Sequence, residues 1–214
     1  MNDLTQHEAM YRGQAAIDRL GTVRLVLCGA GALGSLIADN LLRQGMRQLK
    51  VIDNDRVEAR NAGTQLYRQE DTGALKVEAL RTHCFRAVGV EIEPVAKRLD
   101  ESNALRLLRG ADLVLDTFDN SASRRAVSQA CAQNGIACLH LGMNGGYGEA
   151  RWNESYRVPA DVAEGDACEV PLARNLILLA VAAGSEAALR YLVDGRKENY
   201  AITLQDLSIQ LDEP

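Results

Sequence analysis

Two hydrophobic patterns alternate along the chain: short apolar runs rich in branched side chains, and longer stretches with helical spacing. The apolar runs predict buried strands of a parallel sheet at residues 23–28, 48–53, 90–95, 113–117 and 136–141. The helical spacing predicts helices at residues 1–21, 35–43, 75–86, 102–108, 121–133 and 172–193, and residues 199–209 favour one or two short strands. This alternation predicts an α/β fold, with a mostly parallel sheet and helices on both faces, as a single domain over residues 1–214.

Composition supports a folded domain and narrows the range of partners. Of the 214 residues, 47% are hydrophobic and 25% are charged, so the chain can bury a sizeable core. The net charge of -5 disfavours a surface that neutralises phosphates, so we expect no nucleic-acid partner. The polar, acidic N-terminus disfavours a secretory signal, and no apolar run approaches the ~18 residues that a membrane span needs. We therefore expect a cytoplasmic protein without a membrane partner.

Cysteine and histidine usage disfavours disulfides and zinc. The five cysteines are widely scattered and include no C-x-x-C pair, which disfavours both a disulfide framework and a structural zinc site. The three histidines also lie far apart in the sequence.

A glycine motif follows the first predicted strand and opens a helix. Gly29, Gly31 and Gly34 form G-x-G-x-x-G, in which the backbone turns tightly and approaches a phosphate at the helix N-terminus. Asp53 ends the second predicted strand, 19 residues after Gly34, and is placed to bind ribose hydroxyls. This context predicts a Rossmann-like nucleotide site, and the alternative is a glycine turn that serves only packing.

Acidic residues near this site favour ATP with Mg²⁺ over a dinucleotide redox cofactor. Asp55 adds a second carboxylate next to Asp53, and another acidic cluster, Asp116 to Asn120, follows a later strand. Carboxylates beside a polyphosphate repel it unless a divalent cation intervenes. Lys76, which opens a helix, supplies compensating positive charge.

Five segments together resemble the ThiF/MoeB/HesA family, whose members activate ubiquitin-like and sulfur-carrier proteins. The resemblance covers about residues 10–195, and its motifs lie at residues 28–35, 51–55, 60–65, 76–79 and 112–120. It implies an adenylation domain like that of ubiquitin-activating enzymes. It also implies that ATP and Mg²⁺ are used to adenylylate the C-terminal Gly-Gly carboxylate of a small protein, usually by a homodimer.

The resemblance also implies roles for individual residues. The three glycines and Asp53 would contact phosphates and ribose, and Asp119 would hold Mg²⁺. Arg12 resembles an arginine that enters the ATP site of the neighbouring subunit, although its spacing differs by one residue. Arg124 matches a basic position of the family, with a solvated helix charge as the alternative. The resemblance also implies further contacts with the nucleotide, made by Asp55, Asn61, Gln65, Lys76 and Asn120.

The chain departs from the family pattern in three places. Thr64 stands where the pattern Asn-x-x-Arg-Gln has arginine, and Arg60 or Arg68 is the candidate replacement. The paired C-x-x-C motifs of many relatives are absent, so we expect no zinc. We see no C-terminal rhodanese or ubiquitin-fold extension, so we expect later transfer steps to need a downstream conjugating enzyme or a sulfur donor.

Cys168 is the candidate covalent acceptor. It lies in a polar stretch just before the long apolar helix, where relatives that form a thioester or acyl-persulfide place their cysteine. A nearby helix N-terminus stabilises a thiolate, whereas Asp166 and Glu169 oppose it. The alternative is a surface cysteine without a role, and we predict that the other four cysteines lie in the core.

The glycine-rich stretch from Gly142 to Gly148 has two interpretations. It lies at a predicted strand end, where it would border the channel for the Gly-Gly tail of the partner, or it is an ordinary turn.

We therefore predict an ATP-dependent activating enzyme for a ubiquitin-like or sulfur-carrier protein. Three alternatives stay open: adenylylation of a tRNA base or small peptide, a non-catalytic subunit that only binds partners, and an NAD-dependent redox enzyme. The paired aspartates disfavour the last of these most.

Overall fold

The computed structural model describes residues 3–159 and 171–212. Its strands are β1 (Arg24–Cys28), β2 (Gln48–Ile52), β3 (Glu93–Val95), β4 (Leu113–Asp116), β5 (Cys138–Asn144), β6 (Tyr147–Trp152), β7 (Tyr200–Thr203) and β8 (Ser208–Leu211). Its α-helices are α1 (Gln6–Arg12), α2 (Gln14–Leu20), α3 (Ala32–Arg43), α4 (Lys76–Val88), α5 (Ala104–Leu108), α6 (Ser121–Asn134) and α7 (Arg174–Asp194). Short 3-10 turns lie at Asp3–Thr5, Ala59–Gly63 and Gln69–Asp71.

The described strands form a single sheet in the order β3-β2-β1-β4-β5-β6-β7-β8. Pairing is parallel from β3 through β5 and antiparallel from β5 through β8. The chain runs outward from β1 to β3 on one side and from β4 onward on the other. The strand order therefore reverses between β1 and β4, which is where open α/β sheets bind ligands at the carboxyl ends of their strands.

Helices cover both faces of the sheet, as the alternating side chains of β1 illustrate. Leu25 and Leu27 join the core formed with α3, α4 and α7, whereas Val26 and Cys28 join the core formed with α5 and α6. Every residue of β4 is buried, both its three apolar residues and the Asp116 that ends it. The predicted fold class is therefore confirmed.

Several observed bounds differ from the predicted ones: β3 and α5 are shorter, α3 begins earlier, and β6 was not predicted. Two further differences concern the N-terminal helix and β5. The predicted N-terminal helix is split into α1 and α2 at Gly13, whose φ of 89° leaves the helical region. β5 continues to Asn144 instead of ending at residue 141, because residues 142–144 pair with β6 in an antiparallel hairpin. The glycine-rich stretch is thus mostly strand, with a turn at Gly145, whose φ is 59°.

Helix α7 corrects the expectation that no apolar stretch approaches the length of a membrane span. It has 21 residues and a mean hydropathy of 1.7 over its most apolar window, so it is long and apolar enough to cross a membrane. However, it packs against α3 and strands β5 to β7, and 61% of that window is buried. A core helix passes the same test, so α7 is weak evidence for a membrane span.

Candidate active site

The glycine turn after β1 is held in a conformation that only glycine adopts easily. Gly29 has a φ of 94°, and its N–H donates to the Ile52 carbonyl at 2.9 Å. A Cβ on Gly34 would lie 2.0 Å from the Gly29 oxygen, so the first turn of α3 packs directly on the loop. These two glycines therefore shape the turn and bring α3 close to it.

Gly31 differs from the other two glycines of the motif because it faces open space. A Cβ at this position would meet no atom within 4 Å. Gly31 is also the N-cap residue of α3, and no side chain caps the helix there. The N-terminal end of this 12-residue helix, with its free N–H groups and the positive end of its dipole, suits a phosphate at this point.

Asp53 lies directly after β2 and braces the glycine turn. Its Oδ2 accepts from the Ala30 N–H at 2.7 Å, and its Oδ1 accepts from the Asp55 N–H at 2.7 Å. Burial raises the pKa of Asp53, while Lys76 and the two N–H donors act in the opposite direction. Its predicted contact with ribose stays a prediction.

Lys76 is the buried cation of the site. It begins α4, is 9% exposed, and its Nζ lies 3.0 Å from Asp55 Oδ2. Burial alone would lower the pKa of Lys76, but the carboxylates of Asp53, Asp55 and Asp119 raise it above the ordinary value. The structure thus brings these four predicted residues together, with Lys76 positively charged.

Asp119 lies exposed in the turn between β4 and α6. Thr117 fixes the start of this turn, since its Oγ1 donates to the Cys28 carbonyl at 2.9 Å. Asn120 caps α6 by accepting from the Ser123 N–H at 2.9 Å. An exposed carboxylate in a fixed turn suits Mg²⁺, which takes one or two carboxylates together with phosphate oxygens. Within the described ranges, no three His, Cys, Asp or Glu side chains group as a metal site.

The polar loop between β2 and α4 folds back over the glycine turn. The Tyr67 hydroxyl donates to the Ala30 carbonyl at 2.7 Å, and the Leu66 N–H donates to Ser35 Oγ at 3.1 Å. Asn61 Oδ1 accepts from the Glu58 N–H and so closes the 3-10 turn. Gln65 Oε1 is buried without a hydrogen-bond partner among the described atoms, and its predicted contact with the nucleotide stays a prediction.

Three predicted arginines make ion pairs within the chain. Arg12 lies 2.7 Å from Glu8 and 2.6 Å from a carboxylate of α7, Glu186. Arg60 pairs with Glu58, and Arg68 pairs with Glu70. The predicted insertion of Arg12 into a neighbouring subunit stays a prediction, as does a phosphate contact by Arg60 or Arg68.

Arg124 is a buried structural cation, so the alternative of a solvated helix charge is wrong. Its exposed fraction is only 7%. Its guanidinium donates to the Leu141 carbonyl at 2.6 Å and to the Tyr156 hydroxyl at 2.9 Å, and it lies 3.8 Å from the Asp116 carboxylate. Burial alone would lower the pKa of Arg124, but Asp116 and Tyr156 raise it.

His140 completes this buried group, and sequence reasoning missed it. Its Nδ1 lies 2.7 Å from Asp116 Oδ2, and its ring stacks on Tyr156 at 3.8 Å between centroids. Asp116 Oδ1 also accepts from the Phe118 N–H, so the group holds the turn that presents Asp119. The only sequence signal was a polar His140 within an apolar strand.

We expect Arg124→Met to destabilise the fold by about 3–5 kcal/mol, because it removes a buried charge that lies beside Asp116 and donates to the Leu141 carbonyl and the Tyr156 hydroxyl. Urea unfolding measures this change. The matched control is the adjacent, exposed Arg125, for which Arg125→Met should change the free energy of unfolding by only about 0.5 kcal/mol. Equal effects of the two substitutions would contradict the structural role of Arg124.

The cysteine prediction is confirmed for the four cysteines that the structure describes. Cys28, Cys84, Cys131 and Cys138 are all buried. Burial raises the pKa of the Cys84 thiol to about 12 and that of Cys28 and Cys138 well above the ordinary value, so these thiols are poor nucleophiles. Cys168 lies outside the described residues.

Comparison with known proteins places this site in a family. The profile of the ThiF family matches residues 5–164. The chain belongs to the ThiF family. It is 34% identical over 125 residues to the SAMP-activating enzyme E1 of Haloferax volcanii, a match that covers 57% of this chain and 46% of that protein. It is 31% identical over 140 residues to the sulfur carrier protein ThiS adenylyltransferase of Bacillus subtilis, covering 64% and 42%.

A solved structure supports the fold assignment of this ThiF family chain. The crystal structure of E. coli MccB with ATP superposes with a TM-score of 0.84 at 14% identity, over 100% of this chain and 72% of MccB. At that identity the likeness concerns the fold alone. The matches to the two sequence relatives span less than half the length of each relative.

Proposed function

We propose that this ThiF family chain uses ATP to adenylylate the C-terminal glycine carboxylate of a ubiquitin-like or sulfur-carrier protein. The observation that carries the proposal is the grouping of Gly31, Lys76 and Asp119 at the switch point of the sheet. An uncapped helix N-terminus, a buried lysine and an exposed carboxylate there suit a triphosphate with its Mg²⁺. The names of the two relatives, an E1 activating enzyme and an adenylyltransferase, support the reaction class.

The reaction needs charge neutralisation more than proton transfer. A carboxylate oxygen of the carrier attacks the α-phosphorus, the new C–O–P bond forms, and the bond to the β-phosphate oxygen breaks with release of pyrophosphate. The attacking carboxylate is already ionised at neutral pH, so no general base is required. Lys76 and the N–H groups of α3 reduce the repulsion between the two anions. Asp119 would hold Mg²⁺ at this site, and the ion would supply further charge neutralisation.

ATP–pyrophosphate exchange tests the proposal. Labelled pyrophosphate should enter ATP in the presence of a carrier protein that ends in Gly-Gly. It should not do so with the same carrier lacking those two residues. If ATP binds but no such carrier supports exchange, the chain is better described as a partner-binding subunit. Exchange that depends instead on a tRNA or a short peptide would favour a non-protein substrate.

We further propose that Cys168 accepts the acyl group after adenylylation. The thiolate sulfur attacks the acyl carbon, a C–S bond forms, and the C–O bond to the phosphate breaks with release of AMP. The four described cysteines are buried, which leaves Cys168 as the candidate nucleophile.

A thiol-cleavable adduct with the carrier is the expected result for the wild-type protein. Non-reducing electrophoresis should detect this adduct, and Cys168→Ala should abolish it while pyrophosphate exchange continues. The matched control is Cys131→Ala, in which we expect the adduct to persist because Cys131 lies in the core. An adduct that survives Cys168→Ala would exclude this residue as the acceptor.

A further inference from the structure

Three cations around the candidate site are already paired with carboxylates. Lys76 lies against Asp55, and Arg60 and Arg68 each pair with a glutamate of the same loop. A triphosphate brings several negative charges to a site that also contains three aspartates. Additional positive charge would therefore favour triphosphate binding at this site.

Arg174 reaches this loop from a distant part of the chain. It is the first residue of α7, and its Nη1 donates to the Gly63 carbonyl at 3.2 Å across 111 residues of sequence. Gly63 ends the 3-10 turn that contains Asn61, next to Thr64. Further along the same loop, the Leu66 N–H contacts Ser35 in the first turn of α3.

Within the part of the chain that the structure describes, the charge of Arg174 has no carboxylate partner. Its side chain is exposed, and no carboxylate of residues 3–159 or 171–212 lies within ion-pair distance of it. A guanidinium carries five N–H donors, and the Gly63 carbonyl occupies only one nitrogen. The remaining donors match the paired oxygens of a phosphate group.

We propose that Arg174 binds the phosphates of the nucleotide and supplies the positive charge that Thr64 cannot. The Gly63 carbonyl orients the guanidinium, and three residues later in the same loop Leu66 contacts Ser35 in the first turn of α3. This inference rests on the proposed use of ATP at the same site.

The test compares ATP with adenosine as ligands of three proteins: wild type, Arg174→Gln and Arg86→Gln. Glutamine keeps a donor for the Gly63 carbonyl but loses the charge. Arg86 is an exposed arginine in the last turn of α4, at the opposite end of that helix from Lys76, so Arg86→Gln controls for net charge. We expect Arg174→Gln to weaken ATP binding by roughly tenfold to a hundredfold and to leave adenosine binding unchanged. Arg174→Lys should restore part of the loss.

The outcomes separate this inference from the proposed function. Equal ATP affinity of Arg174→Gln and Arg86→Gln would overturn the role of Arg174 while leaving ATP use intact. A parallel loss of ATP and adenosine binding would show that Arg174 only holds the loop, and would overturn it as well. If wild type binds adenosine but ATP no more tightly, the proposed function and this inference both fail.

Discussion

Substitution of Asp119 by alanine is expected to reduce carrier-dependent pyrophosphate exchange by about a hundredfold or more without unfolding the protein. The loss follows because the exposed carboxylate is the group proposed to hold Mg²⁺ against the phosphates. The free energy of unfolding should change by only about 0.5 kcal/mol, since an exposed side chain is removed. Exchange assays and urea unfolding on the same preparation measure the two quantities.

Two further variants sharpen this expectation. Asp119→Asn keeps the shape of the side chain, so its residual exchange should require a higher Mg²⁺ concentration than wild type. Glu91→Ala removes a carboxylate just before β3, at the opposite edge of the sheet, and should leave exchange unchanged. Wild-type exchange in Asp119→Ala would exclude Asp119 from the reaction.

Substitution of Gly34 by alanine is expected to destabilise the fold by about 3 kcal/mol or more. The added methyl group would lie 2.0 Å from the Gly29 oxygen and 2.8 Å from Thr117 Oγ1. The first of these contacts involves backbone, which cannot move away cheaply, so α3 must shift from the loop. Urea unfolding should detect the loss, and ATP binding should weaken together with stability.

Gly31→Ala is the matched variant for Gly34→Ala, because it adds the same methyl group in open space. The backbone of Gly31 has a φ of -80°, and a methyl group added there would have no atom within 4 Å. We expect stability within about 0.5 kcal/mol of wild type and ATP affinity reduced by roughly tenfold, since the methyl group blocks the approach of a phosphate. Unchanged ATP affinity in Gly31→Ala would contradict the proposed phosphate position.

Sequence patterns predicted the parts of the candidate site that are formed by residues close together in the sequence. Gly31 and Asp53 belong to one continuous strand-turn-helix-strand segment, so the positions of both could be predicted from local sequence alone. The position of the acidic cluster Asp116 to Asn120 followed because the carboxyl ends of parallel strands meet at one edge of the sheet, and the family resemblance implied the role of Asp119 within it. The fold class could be predicted for the same reason, since buried strands and amphipathic helices carry their own periodicity.

Contacts between distant segments were beyond sequence reasoning. Arg124 was matched to a basic position of the family, yet its burial depends on Leu141 and Tyr156, which lie on other segments of the chain. Nothing local in the sequence indicates that Tyr67 contacts the Ala30 carbonyl. The split of the N-terminal helix at Gly13 was missed because apolar spacing continues across it, and periodicity alone does not report a backbone angle.

The hydrogen bond from Leu66 to Ser35 has a consequence for detecting nucleotide binding. It connects the polar loop to the same helix turn that is proposed to receive a phosphate. A ligand that steadies this turn would also slow the opening of the loop, and amide hydrogen exchange at Leu66 would slow with it. Leu66 therefore offers a label-free signal of occupancy at a position that makes no proposed contact with the ligand.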